Sequence, residues 1–403
     1  MSPTTEVLKN RREECAATTE AFTQDRAGRR LLFCSWCAFD PAFWAVVEKL
    51  VECHGFSVTV IAPRRAAVEK VWSFSGFFAP HDANLSIGDV RLVPLLNVNS
   101  PTDGFDPVEL RRALRGIEPD AIWIQSEPGD GLTRQILKHF FFRRKPKLAC
   151  AVVENIWRRP PTIQRWKASM LCRRIDILLT CASLSAAASY DGFMPRRVRS
   201  STVFWPTIDP TTSPSGSFSI SKDPDDFWIG FVGRICPEKG WRVLLDALLE
   251  LPMNAKVVIA GDGPDAALLQ EQIRSPELRS RAIFAGPLPA ENVRALYLQV
   301  DAVAVPSLTT PKWKEQFGRV IAEAMAASLP VVGSDSGAIP EAIGAAGIVV
   351  REGDPQELAN ALRCLMADRG LRQKLSEAGR RRFETQFSID AFASRLAGIL
   401  AAG

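Results

Sequence analysis

Residues 315–323 read Glu-Gln-Phe-Gly-Arg-Val-Ile-Ala-Glu, and the interpretation of the whole chain depends on this stretch. It opens a run rich in Ala, Met and Ile that predicts a helix over residues 317–328. Glu315 precedes that helix, whereas Glu323 lies inside it among apolar neighbours, where a carboxylate needs a partner for its charge. Eight helical residues span roughly 12 Å, and the N–H groups at a helix start attract anions. The simpler alternative is that Glu315 caps the helix and that Glu323 is exposed.

The composition is that of a globular protein with about two domains. Apolar residues make up 46% of the 403 positions and charged residues 24%. No segment reaches the ~18 apolar residues of a membrane-spanning helix. Residues 1–30 carry charge without an apolar core, so we predict a polar leader over residues 1–28 and no secretory signal.

The nine cysteines are irregularly spaced, which together with the absence of a secretory signal predicts reduced thiols in a cytoplasmic protein. Cys34 and Cys37 form a lone CxxC at the end of a predicted strand. No second CxxC and no suitably spaced histidines accompany them, so a place in the core is favoured over a redox or metal site.

Short apolar runs alternate with helical segments in both halves of the chain, which predicts parallel sheets wound by helices. The strands predicted for the first half are 31–34, 56–62, 121–125, 148–153 and 177–181, with a helix over 41–53. Those predicted for the second half are 228–232, 255–260, 282–285, 302–305, 331–333 and 347–350. Between the halves, residues 206–226 are rich in Pro, Ser and Thr and predict a linker. Its Asp223-Pro-Asp-Asp resembles a metal-binding DxD pattern, but a solvated turn is favoured there.

In open α/β sheets, ligands bind at the carboxyl ends of the strands. In the second half, Gly233-Arg234 directly follows a predicted strand, and Lys239 lies in the same loop. An Arg and a Lys five positions apart suit a diphosphate, because the guanidinium can span two oxygens and the ammonium adds a point charge. Gly261-Asp-Gly-Pro and Gly286-Pro-Leu follow the next two strands, where glycine permits close backbone approach to a ligand. Taken alone, each of these loops is also compatible with an ordinary charged surface.

The order of these motifs resembles glycosyltransferase family 4. The first motifs in chain order are Gly233-Arg234, Lys239-Gly240, Gly261-Asp-Gly-Pro and Pro306-Ser307. They are followed by Glu315-x7-Glu323, which encloses Phe-Gly, and then by Gly337 with Pro340-Glu341. The resemblance extends over about residues 227–387, while the first half resembles the family only in general layout.

The resemblance implies the GT-B fold, in which two Rossmann-like α/β domains face each other across a cleft. The implied parts are an acceptor-binding domain over 29–205, a linker over 206–226, a donor-binding domain over 227–386 and a terminal helix over 387–403 that crosses back. It also implies retaining transfer of a sugar from a nucleotide-diphosphate donor to a glycan or lipid-linked acceptor, in cell-surface polysaccharide or glycolipid synthesis. The nucleotide sugar is then a co-substrate, and no separate cofactor is expected.

Residue by residue, the resemblance implies that Arg234 and Lys239 bind the diphosphate, beside Gly233, and that Glu315 holds hydroxyls of the sugar. Glu323 would bind the ribose. Backbone contacts would come from the remaining donor-side positions: Phe317, Gly318, Val320, Gly286 and Leu288, the last two at the base. No metal is expected, since the cations and the helix start supply the positive charge. Retention implies front-face attack with the leaving phosphate accepting the proton, so no enzyme nucleophile is needed.

The first half departs from the family pattern in two places. The loop over residues 35–40 contains no glycine, and the chain has only His54, His81 and His139, none in the family's catalytic position. At the strand ends where such a histidine is expected, the chain has Glu127, Glu154 and Asn155, which we predict on the acceptor or sugar side.

Residues 134–174 contain twelve Lys or Arg and one acid, with Phe and Trp interleaved. This pattern favours peripheral contact with an anionic membrane at its cytoplasmic face. A phosphate-containing lipid-linked acceptor and a solvated face are the alternatives. Nucleic acid is not predicted, because no nucleic-acid-binding motif accompanies the charge.

Three other functions are alternatives to the transferase. A nucleotide-sugar epimerase on the same scaffold is disfavoured by the few histidines. An inactive transferase-like binding subunit fits the departures in the first half but not the complete set of donor-side residues. A dinucleotide oxidoreductase is disfavoured because no GxGxxG follows either first strand.

Overall fold

A computed structural model describes residues 28–35, 40–63, 85–87, 89–95, 104–141, 146–152, 170, 173–180, 198–212 and 216–401. The chain divides into two compact units. Of the described residues, the first unit contains those up to Cys150 together with 393–401, and the second contains 151–392. The domain boundaries expected from the sequence, at 205 and 227, stay a prediction. Within the described residues, no helix is both long and apolar enough to cross a membrane.

The first sheet has eight strands in the order β3-β4-β2-β1-β5-β6-β7-β8. Its β3–β4 pair is antiparallel, and its β1–β2, β1–β5, β2–β4 and β7–β8 pairs are parallel. The strands are β1 Arg29–Ser35, β2 Phe56–Pro63, β3 Leu85–Ile87, β4 Val90–Leu95, β5 Ala121–Gln125, β6 Lys147–Val152, β7 Ile177–Thr180 and β8 Arg199–Thr202.

The second sheet has six parallel strands in the order β11-β10-β9-β12-β13-β14. The strands are β9 Phe227–Val232, β10 Ala255–Ala260, β11 Ala282–Gly286, β12 Ala302–Val305, β13 Val331–Ser334 and β14 Ile348–Val350. All six were predicted from their apolar runs. The four inner strands are almost wholly buried, as expected of a parallel sheet with helices on both faces, while the edge strands β11 and β14 are partly exposed.

The helices of the first unit begin at side-chain caps or at strand-to-helix loops. The Asp40 carboxylate accepts the Ala42 N–H at the start of the first of them. These helices are α1 Pro41–Glu52, α2 Pro107–Ala113 and α3 Gly131–His139. The predicted CxxC has one described member, Cys34, which is fully buried in β1, and burial raises the pKa of its thiol.

The helices of the second unit alternate with its strands. They are α4 Trp241–Leu249, α5 Ala266–Gln272, α6 Ala290–Tyr297, α7 Arg319–Ala326, α8 Ile339–Ile343, α9 Pro355–Ala367 and α10 Arg369–Arg382. A 3-10 turn, Pro237–Lys239, precedes α4, and a π-helix, Phe383–Phe387, follows α10. The last helix, α11 Ile389–Ala401, runs on into the first unit, where the Arg29 guanidinium donates to the Ala401 carbonyl over 2.8 Å.

The second unit has apolar cores on the two faces of its sheet. One includes Trp241 of α4 with Ile229 and Val257, and the other includes Tyr297, Ile321 and Met325. Helix α7 therefore lies with its apolar side in the second core, as the alanine-rich sequence predicted.

Candidate functional site

The strand order of the second sheet reverses between β9 and β12, which is where open α/β sheets bind ligands. The loop after β9 lies against the end of β12 at Gly240. Gly240 has a left-handed φ of 69°, and a Cβ there would collide with the Pro306 carbonyl oxygen. The loop that carries Lys239 is therefore held directly beside Ser307.

A buried ion pair joins these two loops. The Lys239 ammonium donates to Glu315 Oε2 over 2.6 Å, and the side chains are 26% and 8% exposed. The Ser307 hydroxyl donates to the same oxygen over 2.9 Å. Since one carboxylate oxygen accepts both bonds, Glu315 is fixed by residues from the ends of two neighbouring strands.

The loop after β13 fixes the backbone of Glu315. A Cβ on Gly337, whose φ is 56°, would collide with the Glu315 carbonyl oxygen, and the Ala338 N–H donates to that oxygen over 2.9 Å. The Ser334 hydroxyl donates to the Ser307 carbonyl over 2.5 Å. Three strand-end loops thus converge on one carboxylate.

Trp313 is part of this cluster, although the sequence did not identify it. The Lys239 ammonium lies 5.0 Å from the centre of the Trp313 ring, within cation–π range. A tight turn holds the backbone of Trp313, because the Thr310 hydroxyl accepts the Trp313 backbone N–H over 2.9 Å. Lys239 is therefore positioned by an aromatic ring as well as by a carboxylate.

The helix after Glu315 begins later than predicted, at Arg319 and not at residue 317, and it ends at Ala326. Gly318 precedes it with a left-handed φ of 74°, which ends the extended segment and starts the helix. The ring of Phe317 lies outside the helix and is buried against Phe204 and Phe387. Val320, the second helical residue, is half-buried.

Glu315 does not cap this helix, because the residue at the N-cap position is Gly318 and no side chain caps it. The partner expected for Glu323 is present: the Tyr297 hydroxyl donates to Glu323 Oε2 over 2.8 Å. Arg319 Nη2 lies 3.8 Å from Glu323 Oε1. The alternative of a cap and a free surface charge is therefore wrong for both carboxylates.

The loop after β9 also contains Arg234. The side chain of Arg234 is exposed and makes no hydrogen bond or ion pair with the residues that the structure describes. Gly233 before it donates to the Ala260 carbonyl, and a Cβ on Gly261 would collide with the Gly233 carbonyl oxygen. Cys236 in the same loop keeps its proton, because burial and then Glu238 raise the pKa of its thiol.

The two residues predicted at a base lie at the end of β11 and in the loop after it. Gly286 has a left-handed φ of 67°, and its carbonyl accepts the Gly261 N–H over 2.8 Å. Leu288 is partly buried against the core that contains Tyr297. Helix α6 starts two residues later and ends at Tyr297, so this loop and Glu323 are connected through one helix.

The residues predicted on the acceptor side belong to another part of the chain. Glu127 is half-buried just after β5 in the first unit, where its N–H donates to Asp130 over 3.1 Å. Burial raises the pKa of Asp130. Glu154 and Asn155 lie outside the described residues, as does much of the basic segment 134–174. The acceptor-side assignments and the membrane contact therefore stay predictions.

Comparison with known proteins supports the fold and the class of the second half. Residues 215–382 match the family model described as glycosyl transferases group 1. A D-inositol 3-phosphate glycosyltransferase of Corynebacterium jeikeium is 38% identical over 161 residues, which cover 37% of each chain. An uncharacterized glycosyltransferase of Methanocaldococcus jannaschii is 31% identical over 185 residues, covering 45% of this chain and 46% of that relative. The matched part thus spans less than half the length of these curated relatives.

The likeness in structure extends over nearly the whole chain. The crystal structure of Anabaena HepE in complex with UDP superposes with a TM-score of 0.67 at 18% identity, covering 93% of this chain and 99% of that one. A structure of the same protein in complex with UDP-glucose superposes with a TM-score of 0.63, covering 92% of this chain and 99% of that one. The predicted GT-B fold, with two Rossmann-like parallel sheets, is confirmed.

Proposed function

We propose that this protein is a retaining glycosyltransferase that moves a sugar from a nucleotide-diphosphate donor to a glycan or lipid-linked acceptor. The observation that carries the proposal is the ion pair of Lys239 with Glu315, held between strand-end loops at the point where the sheet order reverses. The glycosyltransferase relatives of residues 215–382 and the UDP complexes of a protein with this fold support it.

The donor lies along the segment from Glu315 to Glu323 in this proposal. Glu315 accepts hydrogen bonds from the sugar hydroxyls, and Glu323 accepts them from the ribose. Arg234, Lys239 and the backbone around Gly318 and Val320 surround the diphosphate. The base lies against the backbone of Gly286 and Leu288.

The charges favour departure of the nucleotide. Breaking the anomeric C–O bond produces a nucleoside diphosphate anion and an oxocarbenium-like sugar. An ammonium has three N–H donors, so Lys239 can keep its bond to Glu315 and still donate to phosphate oxygens. The exposed guanidinium of Arg234 adds a second cation to the same loop. Positive groups that are already in place stabilise the leaving group without reorganisation.

The acceptor hydroxyl attacks the same face of the sugar that the phosphate leaves, and the leaving phosphate oxygen accepts the hydroxyl proton. The new C–O bond therefore has the configuration of the donor. No protein nucleophile takes part in this scheme. The thiol of Cys236, in the loop after β9, stays protonated because burial raises its pKa.

The acceptor is proposed to meet the first unit, where Glu127 follows β5. The basic segment 134–174 would hold the protein at an anionic membrane or bind a phosphate-containing lipid-linked acceptor. A flotation assay with anionic and neutral vesicles tests the first of these. Equal flotation with both lipid types would remove the membrane contact.

A panel of UDP-, GDP-, ADP- and dTDP-sugars tests the donor side. The true donor should raise the melting temperature by mass action, and Glu323→Ala should greatly reduce that rise. Glu377→Ala is the matched control, because Glu377 is also helical and lies 3.9 Å from an arginine four positions away. If no nucleotide or nucleotide sugar stabilises the protein, the proposed function is wrong.

Product analysis then separates the transferase from its rivals. Release of free sugar with retained configuration, in the presence of EDTA, supports a retaining and metal-independent transfer. Conversion of one nucleotide sugar into its epimer would instead support the epimerase. Binding without any turnover would support a binding subunit.

A further inference from the structure

Glu323 lies at a position where a carboxylate is costly. Its neighbours in α7, Ile321, Ala322, Ala324 and Met325, are fully buried, while the Glu323 side chain is 22% exposed. A carboxylate at the edge of an apolar core requires hydrogen-bond donors for its inner oxygen. The donor here comes from another helix.

Tyr297 supplies that donor. It is the last residue of α6, it is 1% exposed, and its hydroxyl lies 2.8 Å from Glu323 Oε2. Burial and then the charge of Glu323 raise the pKa of Tyr297 well above its ordinary value, so the phenol keeps its proton and acts as a donor. The remaining oxygen, Oε1, has no hydrogen bond within the described part of the chain; Arg319 Nη2 lies 3.8 Å away.

We propose that Tyr297 is a positioning residue for donor recognition: its buried hydroxyl holds one oxygen of Glu323 so that the other accepts the ribose hydroxyls of a nucleoside diphosphate. This inference rests on the proposed function of the donor site. Its chemical consequence is discrimination between ribonucleotides and their 2′- or 3′-deoxy analogues.

The fold makes Tyr297 a suitable anchor for this task. Helix α6 begins at Ala290, just after the loop of Gly286 and Leu288, and its eight residues span roughly 12 Å before Tyr297. Gly230 in β9 faces the end of this helix, since a Cβ there would lie 3.5 Å from a methyl carbon of Leu296 and 3.3 Å from one of Val300, which follows the helix. A single rigid element therefore connects the loop proposed for the base with the carboxylate proposed for the ribose.

The test is a double-mutant cycle on the full-length protein with Tyr297→Phe, Glu323→Ala and the combined variant. Calorimetry would measure binding of UDP, GDP and ADP, each with its 2′-deoxy and 3′-deoxy analogue. Tyr297→Phe should weaken ribonucleotide binding about tenfold, the size expected for a misplaced charged hydrogen-bond acceptor. Binding of the deoxy analogues should change much less. In the Glu323→Ala background, the tyrosine substitution should have little further effect.

Urea unfolding of the same variants tests the contact without a nucleotide. Glu323→Ala leaves a buried hydroxyl without its acceptor, so the combined variant should be more stable than Glu323→Ala alone. A merely structural role for Tyr297 would weaken ribo- and deoxyribonucleotides equally, and that result overturns the inference. Wild-type-like ribonucleotide binding by Tyr297→Phe, with weakened binding by Glu323→Ala, overturns it while leaving the proposed function intact. A wild-type protein that binds none of the nucleotides overturns both.

Discussion

Lys239 and Glu315 should depend on each other in stabilising the fold. The substitution Lys239→Met tests this dependence directly. Methionine retains most of the aliphatic stem, so the change removes the ammonium and little packing. Glu315, 8% exposed, would lose the ammonium and keep its hydrogen bond from the Ser307 hydroxyl.

The expected magnitude follows from burial. Breaking a fully buried ion pair costs about 3–5 kcal/mol, but Lys239 is 26% exposed, so water can approach the carboxylate from that side. We therefore expect Lys239→Met to cost about 2 kcal/mol. Glu315→Gln leaves the more exposed ammonium unpaired and should cost about 1 kcal/mol. The double variant removes both charges and should also cost about 1 kcal/mol, which gives a coupling energy of about 2 kcal/mol.

Because the chain contains two units, one global unfolding curve is not a safe measure. Hydrogen exchange of peptides from β12 and α7, followed across a urea series, reports on the second unit alone. Lys222→Met is the matched control. Its ammonium lies 2.9 Å from Asp301, but the two side chains are 36% and 31% exposed, so the loss should be below about 1 kcal/mol.

Additive effects of Lys239→Met and Glu315→Gln would refute the reasoning, because they would mean that the two groups do not stabilise each other. A loss in Lys222→Met as large as that in Lys239→Met would refute it as well. In that case burial would not be the factor that determines the cost.

Three further outcomes are expected. In Tyr190→Phe, which leaves Tyr297 as the single tyrosine, tyrosinate absorbance should be absent past pH ~10 until the protein unfolds. Because the pKa of Tyr297 is raised in the folded protein, the stability that the neutral phenol contributes is complete below that pH and falls as the pH rises further. Ionisation of Tyr297 in the folded protein near its ordinary pKa would contradict this. Gly240→Ala should cost about 1–3 kcal/mol in thermal or urea unfolding, because its φ of 69° disfavours a Cβ; an unchanged stability would contradict the collision. Iodoacetamide should label exposed Cys364 quickly and buried Cys34 only on unfolding, since burial raises the pKa of Cys34; equal labelling rates would contradict that burial.

The sequence predicted the strands that contain an apolar run, namely all six of the second sheet and five of the first. In the second sheet the apolar runs include those of the edge strands β11 and β14. The strands that were missed lie at or near the edges of the first sheet. Strand β8, Arg199–Thr202, is polar and ends the sheet, and β4, Val90–Leu95, contains a proline. A polar strand, or one interrupted by proline, gives a weaker signal in the sequence than a continuous apolar run.

The start of α7 was predicted two residues early for a local reason. The apolar run begins at Phe317, but Gly318 adopts a left-handed conformation, and the helix begins only after it. The ring of Phe317 packs against Phe204 and Phe387, which lie far away in the sequence. Apolar periodicity cannot distinguish a helical residue from a buried one that precedes the helix.

The candidate site was predicted as a set of residues, while its contacts were not. The resemblance to the family implies a diphosphate contact for Lys239 and a sugar contact for Glu315, as separate contacts. Their 2.6 Å bond depends on how closely Gly240 packs on Pro306, which no spacing in the sequence encodes. The need of Glu323 for a partner was predicted, but Tyr297 is 26 residues away and on another helix. A buried tyrosine at the end of a helix is itself a signal, because its hydroxyl also requires a partner.

The contacts change what the Glu-x7-Glu spacing means physically. Each carboxylate is held at its Oε2 from the protein side, Glu315 by Lys239 and Ser307, and Glu323 by Tyr297. A carboxylate that is held at one oxygen can rotate little, so the other oxygen has a defined direction. Ordering costs entropy, and a side chain that is already ordered in the folded protein adds little to the cost of binding. The distance between the two carboxylates is therefore fixed, because the loops after β9 and β12 hold Glu315 and helix α6 holds Glu323.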